Sequence, residues 1–273
     1  MRDTFFVADH DINDYPGGAE KVDHTIYTRL GIPFMKSHVV NKCAIDPNAF
    51  YIISNAVTLH REHKTDFIKH RNYLILEHDY KIHPSRQPHR YKDNVFPKDE
   101  LINLQFYENA QAVFLQSNDH LECFEDNNIQ GNLRALQGSV WSEEELDTLR
   151  SLTNDTKTHK YAIIGNKSTD KGSDVAIAFC TDQGLDYEVI QTKSLLDFYK
   201  DLSTYSTLVY FPRVKESFCR LVVEARCLQL NVITNRTYGA VKEPWFSKKG
   251  KAMIGFLEVC TTDNIERIKA FTR

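Results

Sequence analysis

Short apolar runs recur along the whole chain, separated by stretches in which apolar residues return at helical spacing. The runs stand at 4–10, 35–40, 51–54, 73–77, 112–116 and 133–136, and again at 161–165, 187–191, 207–211 and 231–234. Each is strand-length and rich in β-formers, and one is stopped by Pro212, which cannot donate to a ladder. Helical spacing follows in the segment carrying Val22, Ile26 and Leu30, at 57–70, 98–110 and 120–127, beside Val175, Ile177, Ala178 and Phe179, at 195–202 and at 263–273. Phe218, Leu221, Val222, Ala225 and Leu228 make one more apolar face. Alternation of strand and helix predicts open parallel sheets covered by helices on both faces, with ligands outside the carboxyl ends of the strands.

The alternation pauses once. Ser142 and Glu145 make a capping box for a short helix, and 153–160 is polar and reads as a linker. Two domains are therefore expected, 1–152 and 153–273, with the last helix free to cross back. A chain of 273 residues is long enough for both to bury a core.

Composition is that of an ordinary globular chain: 41% hydrophobic, 26% charged, net charge −3, which weighs against nucleic-acid binding as the whole task. No apolar run approaches the roughly 18 residues of a membrane span, and Arg2 and Asp3 argue against a signal peptide, so a cytoplasmic protein is expected. The six cysteines lack C-x-x-C spacing and predict buried thiols rather than disulfides or a zinc site. Asp9-His10-Asp11 spells D-x-D, but so short a triplet does not specify a metal site, and none is expected.

Packing does not explain Glu216 and Glu224, eight residues apart. Glu216 stands at the mouth of a helix and Glu224 about 12 Å further along it, a spacing that suits a ligand lying along the helix with phosphates at its N-terminal end. The segment Glu216-Ser217-Phe218-Cys219-Arg220-Leu221-Val222-Val223-Glu224 resembles the E-x7-E element of retaining GT-B glycosyltransferases, most closely the large family 4. That family usually has Gly at the positions of Ser217 and Cys219, and an apolar residue at that of Arg220.

The resemblance implies a GT-B fold, two doubly wound Rossmann-like domains facing a cleft, and transfer of a sugar from a nucleotide-sugar donor with retention and no obligatory cofactor. Glu216 would contact donor-sugar hydroxyls, Glu224 the ribose, and the backbone between them, through Ser217, Phe218 and Cys219, the diphosphate. Gly17 and Gly18 are similar to the family's first glycine loop, beside the diphosphate. Lys171 and Gly172 match its basic–x4–Lys–Gly element, with Asn166 where Arg is usual and Lys167 one place later in its stead. His78, after the fourth strand, would approach the reacting sugar, and Asp79 follows it on the acceptor side. Lys167, Lys171 and Arg220 would offset charge on the leaving diphosphate. A non-catalytic nucleotide-sugar-binding module shares these features but has less use for Glu216 and His78.

One stretch bears on the acceptor. From 60 to 92 the chain carries eight Lys and Arg against four Asp and Glu, and 81–92, with Arg86 and Arg90, holds no acid and two prolines. A basic loop in an acidic protein points to an anionic acceptor. Hydroxymethylcytosine in phage DNA fits, as does a phosphorylated lipid or polyol; a neutral saccharide is the alternative.

Overall fold

The computed structural model describes residues 2–153, 156–165, 168–191, 194–235 and 237–273. It divides into two compact units, 142–258 and the remainder, 1–141 with 259–273.

The first unit is built on six parallel strands: β1 (Thr4–Ala8), β2 (Phe34–Lys36), β3 (Phe50–Ser54), β4 (Tyr73–Glu77), β5 (Val113–Leu115) and β6 (Leu133–Ala135), in the order β2-β1-β3-β4-β5-β6. Its helices are α1 (Gly18–Leu30), α2 (Ser37–Val40), α3 (Arg61–His70), α4 (Leu104–Glu108) and α5 (Asn118–Asp126). Alternate residues of each strand feed separate cores. Tyr51, Ile53, Tyr73 and Ile75 join one cluster, and Phe50, Ile52, Leu74 and Leu76 join the other. Burial on both faces is why these strands read as continuous apolar runs rather than as alternating ones.

The second unit carries α6 (Glu143–Leu152), then β7 (Tyr161–Ile164), α7 (Ser173–Asp182), β8 (Tyr187–Ile190), α8 (Leu195–Ser203), β9 (Thr207–Tyr210), α9 (Arg220–Cys227) and β10 (Asn231–Thr234). Its parallel order, β10-β9-β7-β8, repeats that of the first sheet: the first strand lies between the second and the third. Each sheet therefore has one point where the chain reverses its direction of winding, between β1 and β3 and between β7 and β9. Such points are where doubly wound sheets hold ligands.

Several elements differ from the sequence expectation. The run 35–40 is a three-residue strand followed by α2. The expected helix at 57–70 begins only at Arg61, because the amides of Val57 and Thr58 instead bond Asp9 at 2.8 and 3.2 Å. The stretch 98–110 is broken at Asn103, whose left-handed backbone (φ 61°) separates a single 3₁₀ turn from α4. Left-handed geometry is uncommon, and asparagine is among the residues that best tolerate it.

The terminal helix is α10 (Gly250–Lys269), twice the length that apolar spacing at 263–273 suggests. Its Ile265 and Ile268 enter the core of the first unit. The contact division falls at Ser142 rather than near 153 because α6 packs on α8 and α9. The linker expected at 153–160 falls partly outside the described residues.

The Ser142–Glu145 capping box is formed. Of the cysteines, Cys43 is exposed and the other five are buried; none is disulfide-bonded. Among the described residues no helix is long and apolar enough to cross a membrane.

Candidate functional site

At the reversal point of the second sheet, the loops leaving β7 and β9 meet. Gly172 is what lets them do so. Its φ is +64°, and a Cβ there would lie 1.8 Å from the carbonyl oxygen of Phe211. No other residue fits. Arg213 ties the same two loops, donating its backbone amide to Asp170 O at 2.8 Å and its guanidinium to Thr169 O and the Asp174 carboxylate.

This closure sets Lys171 Nζ 2.8 Å from Glu216 Oε1, and the Tyr210 hydroxyl donates to the same oxygen at 2.8 Å. Glu216 is fixed from behind as well: its amide donates to Thr237 O and its carbonyl accepts from the amide of Gly239. The turn at 238–240 thus braces the stretch carrying Glu216. Burial works against the Lys171 ammonium, but the field and hydrogen bond of Glu216 prevail and hold its pKa above the ordinary lysine value. Burial, with Cys219 and Glu216 nearby, raises the Tyr210 phenol, which stays a proton donor. The lysine keeps about two fifths of its side-chain surface open to solvent, the glutamate about one fifth. A cation and an anion are thereby presented together at the carboxyl end of the sheet.

The helix begins at Arg220, so Glu216, Ser217, Phe218 and Cys219 form the bent approach to it. Cys219 has φ +74°, the conformation glycine adopts without strain, which accounts for glycine being usual there in the resembling family. Its thiol is buried, and burial pushes its pKa up. The Phe218 ring is core, packed at 6.1 Å from Trp245.

Glu224 is placed differently from Glu216. It is 6% exposed, 3.8 Å from Arg220 Nε, and Arg220 also donates to Glu145 Oε1 at 2.9 Å. The two residues assigned to ribose and diphosphate belong to a buried ionic cluster between α9 and α6. Asn166 and Lys167 lie outside the described residues.

In the first unit, Gly17 caps α1 and Gly18 opens it. His78 follows β4, and its Nε2 lies 2.7 Å from Asp23 Oδ1, an oxygen that also accepts from Ser54 Oγ at 2.9 Å. Both partners are buried, and Asp23 Oδ2 has no hydrogen-bond partner. Asp79 faces Arg86 at 3.5 Å, while Arg90 is exposed. The D-x-D carboxylates have structural partners: Asp9 binds the 57–58 amides, and Asp11 accepts from the Tyr27 hydroxyl at 2.6 Å. Among the described residues, no group of three or more His, Cys, Asp or Glu is arranged to hold a metal.

Sequence reasoning passed over Asp23, Tyr210 and Lys64. An acid next to Val22 on the apolar face of a helix was a readable signal for the first. A tyrosine at the carboxyl end of a strand was a weaker one for the second. Lys64, among other charges on α3, gave none.

No family model matches the chain, and no curated protein matches it. Solved structures do. Anabaena HepE in complex with UDP and glucose shares 13% identity over 100% of this chain and 92% of its own, with a TM-score of 0.53. The same protein in complex with UDP gives 14% and 0.54 over the same shares. The α,α-trehalose 6-phosphate synthase of Burkholderia multivorans gives 10% and 0.50 over 95% of this chain and 79% of its own. At such identities the likeness speaks for architecture, and with the two repeated sheet orders it establishes an α/β fold of the GT-B type, made of two doubly wound, Rossmann-like units.

Proposed function

We propose that the protein is a glycosyltransferase that moves a sugar from a nucleotide-sugar donor to an acceptor hydroxyl, with retention of anomeric configuration. The observation that carries this is the Lys171–Glu216 pair at the reversal point of the second sheet, with Tyr210 behind it. In the reaction the bond from the anomeric carbon to the diphosphate oxygen breaks, the diphosphate keeping the electron pair. The acceptor oxygen bonds to that carbon, and its proton leaves with the nucleoside diphosphate. Lys171 would exchange its contact with Glu216 for the developing charge on the diphosphate, and Glu216 would turn to sugar hydroxyls. A charge placed in advance where charge develops is commonly the largest catalytic contribution. HepE, solved with UDP and glucose and with UDP-glucose, supports a uridine donor. Retention rests on the resemblance to family 4.

The buried position of Glu224 leaves ribose recognition to other groups or to a rearranged cluster. His78, oriented by Asp23, is the first unit's candidate for contact with the reacting sugar.

The acceptor is read as anionic from the 81–92 loop, with hydroxymethylcytosine DNA one form of it. Within that loop Lys81 donates to Glu77 at 2.6 Å, His83 stacks on Phe96 and pairs with Glu100, and Arg86 faces Asp79. Of these charges Lys81 is turned inward onto a buried carboxylate, while Arg86 and Arg90 stay accessible to an anionic acceptor.

A thermal-shift screen of nucleotide sugars, with transfer followed by release of the nucleoside diphosphate, tests the reading. A donor that binds only the folded state raises the melting temperature. A donor that binds without turning over onto any acceptor would point to a binding module instead, and proton NMR of the product decides retention.

A further inference from the structure

A cavity of about 270 Å³ opens at the carboxyl ends of β3 and β4, wholly within the first unit. Its wall includes Lys64 of α3, Glu77 at the end of β4, Lys81, Arg86, and Asn103 and Phe106 at α4. Most of the charge here is already answered. Glu77 receives Lys81 at 2.6 Å and the Tyr107 hydroxyl at 2.5 Å, Arg86 faces Asp79 at 3.5 Å, and His83 is held by Glu100 at 2.8 Å.

Lys64 is the exception. Its ammonium is partly buried, donates to the Asn103 side-chain oxygen at 3.2 Å and stands 5.8 Å from the centre of the Phe106 ring, and no carboxylate lies within ion-pair distance of it among the described residues. Asn103 is built for this contact. Its left-handed backbone starts α4, and its amide nitrogen donates to Lys81 O at 3.1 Å, which fixes its oxygen toward Lys64. An ammonium has three donors, so one hydrogen bond leaves two for the cavity. Burial lowers the Lys64 pKa, while Asp9 and Glu77 pull it back through longer-range attraction. Holding an unanswered charge there costs stability, and an anion entering the cavity removes that cost.

We propose that this cavity is a binding site for the phosphoryl group of a small phosphorylated ligand, with Lys64 as its principal contact and Arg86 at the rim. The volume holds one ring-sized group or a phosphate with a short polyol, below the ~300 Å³ at which drug-sized pockets begin. Phosphates of a duplex run along a surface and do not enter such a space. The site deepens the glycosyl-transfer reading by naming the acceptor as a small phosphate monoester. It rests on that reading for the word acceptor and not for the binding.

The test is calorimetric, on the full chain, with inorganic phosphate and glycerol 3-phosphate as probes, glycerol as the neutral control and UDP titrated in parallel. Both phosphates bind and glycerol does not. Lys64→Met weakens them by about tenfold or more, the loss of one charge-assisted hydrogen bond. Lys64→Arg retains most of the affinity, and both variants keep the wild-type affinity for UDP. Equal phosphate affinity in wild type and Lys64→Met overturns the site. So does a short DNA duplex that displaces glycerol 3-phosphate and itself loses affinity in Lys64→Met, because the ligand is then a polymer. Wild-type protein that binds phosphate at Lys64 but no nucleotide sugar would sink the transfer reading and leave this site standing.

Discussion

The two units share a strand order and handle charge in opposite ways. In the second, the reversal point presents Lys171 and Glu216 to one another and to solvent, so both are at hand for a ligand carrying both signs. In the first, the polar groups beside β3 and β4 are buried and committed: Asp23 to His78 and Ser54, Glu77 to Lys81 and Tyr107, with Lys64 alone left unanswered. The same topology thus yields an exposed ion pair in one unit, and in the other a cavity where only the Lys64 charge is without an ion-pair partner. What differs is not the sheet but which residues leave the carboxyl ends of its strands.

The largest expected effect would break the second unit itself. Arg220 lies between Glu145 and Glu224, all three nearly buried. Arg220→Met removes the cation between two carboxylates, and breaking a buried pair typically costs about 3–5 kcal/mol. Each unit holds one tryptophan, Trp141 in the first and Trp245 in the second, so their fluorescence separates the units. In a Trp141→Phe background, denaturant unfolding of the second unit should shift by that amount. An unchanged midpoint would mean that the cluster is solvated and Arg220 free for phosphate.

Glu216→Gln comes next. It keeps the shape and the Tyr210 contact but removes the charge, and loss of a charge-assisted contact of about 3 kcal/mol corresponds to roughly a hundredfold fall in kcat/KM. Folding, read by circular dichroism, should be unaltered. Turnover within threefold of wild type would remove Glu216 from the chemistry.

Lys171→Ala sharpens the comparison further, because it acts on the ligand rather than on the fold. Affinity for the nucleoside diphosphate should fall by about 1.5–3 kcal/mol, with affinity for glycerol 3-phosphate unaltered. Equal loss for both ligands would show that one site serves both, and that the division between the units is wrong.

How much of this was legible in the sequence follows from range. Glu216 and Lys171 were readable because each is placed by a local event, the end of a strand and the start of a helix, with Gly172 marking the turn between. The fold was readable because strands buried on both faces leave unbroken apolar runs. The fate of Glu224 was not, since whether it meets a ribose or Arg220 is decided by α6, which begins 81 residues earlier in the sequence. Lys64 was hidden for the same reason: its hydrogen bond to Asn103 in place of an ion pair becomes visible only when Asn103 and Phe106 are brought against it. Asn166 and Lys167 stand where the sequence left them.

The smallest effect concerns acid, and it is read in the first unit. His120 is fully buried, its Nδ1 accepting from the amide of Gln116 at 3.1 Å and its Nε2 donating to Asp79 O at 2.8 Å. Burial above all, with smaller repulsion from Lys81 and His78, pushes its pKa down to about 3. An unfolded histidine titrates near 6.5. Between those values the unfolded chain takes a proton that the native state refuses. The contribution of His120 is therefore complete above pH 6.5 and is lost as pH falls toward 3, at up to about 1.4 kcal/mol per pH unit. In a Trp245→Phe background, urea unfolding of the first unit at pH 7.5 and pH 5.0 should show wild type losing roughly 2 kcal/mol more than His120→Gln across that interval. Parallel losses in the two proteins would mean that His120 carries its proton in the native state, and that its Nδ1 does not accept from the Gln116 amide.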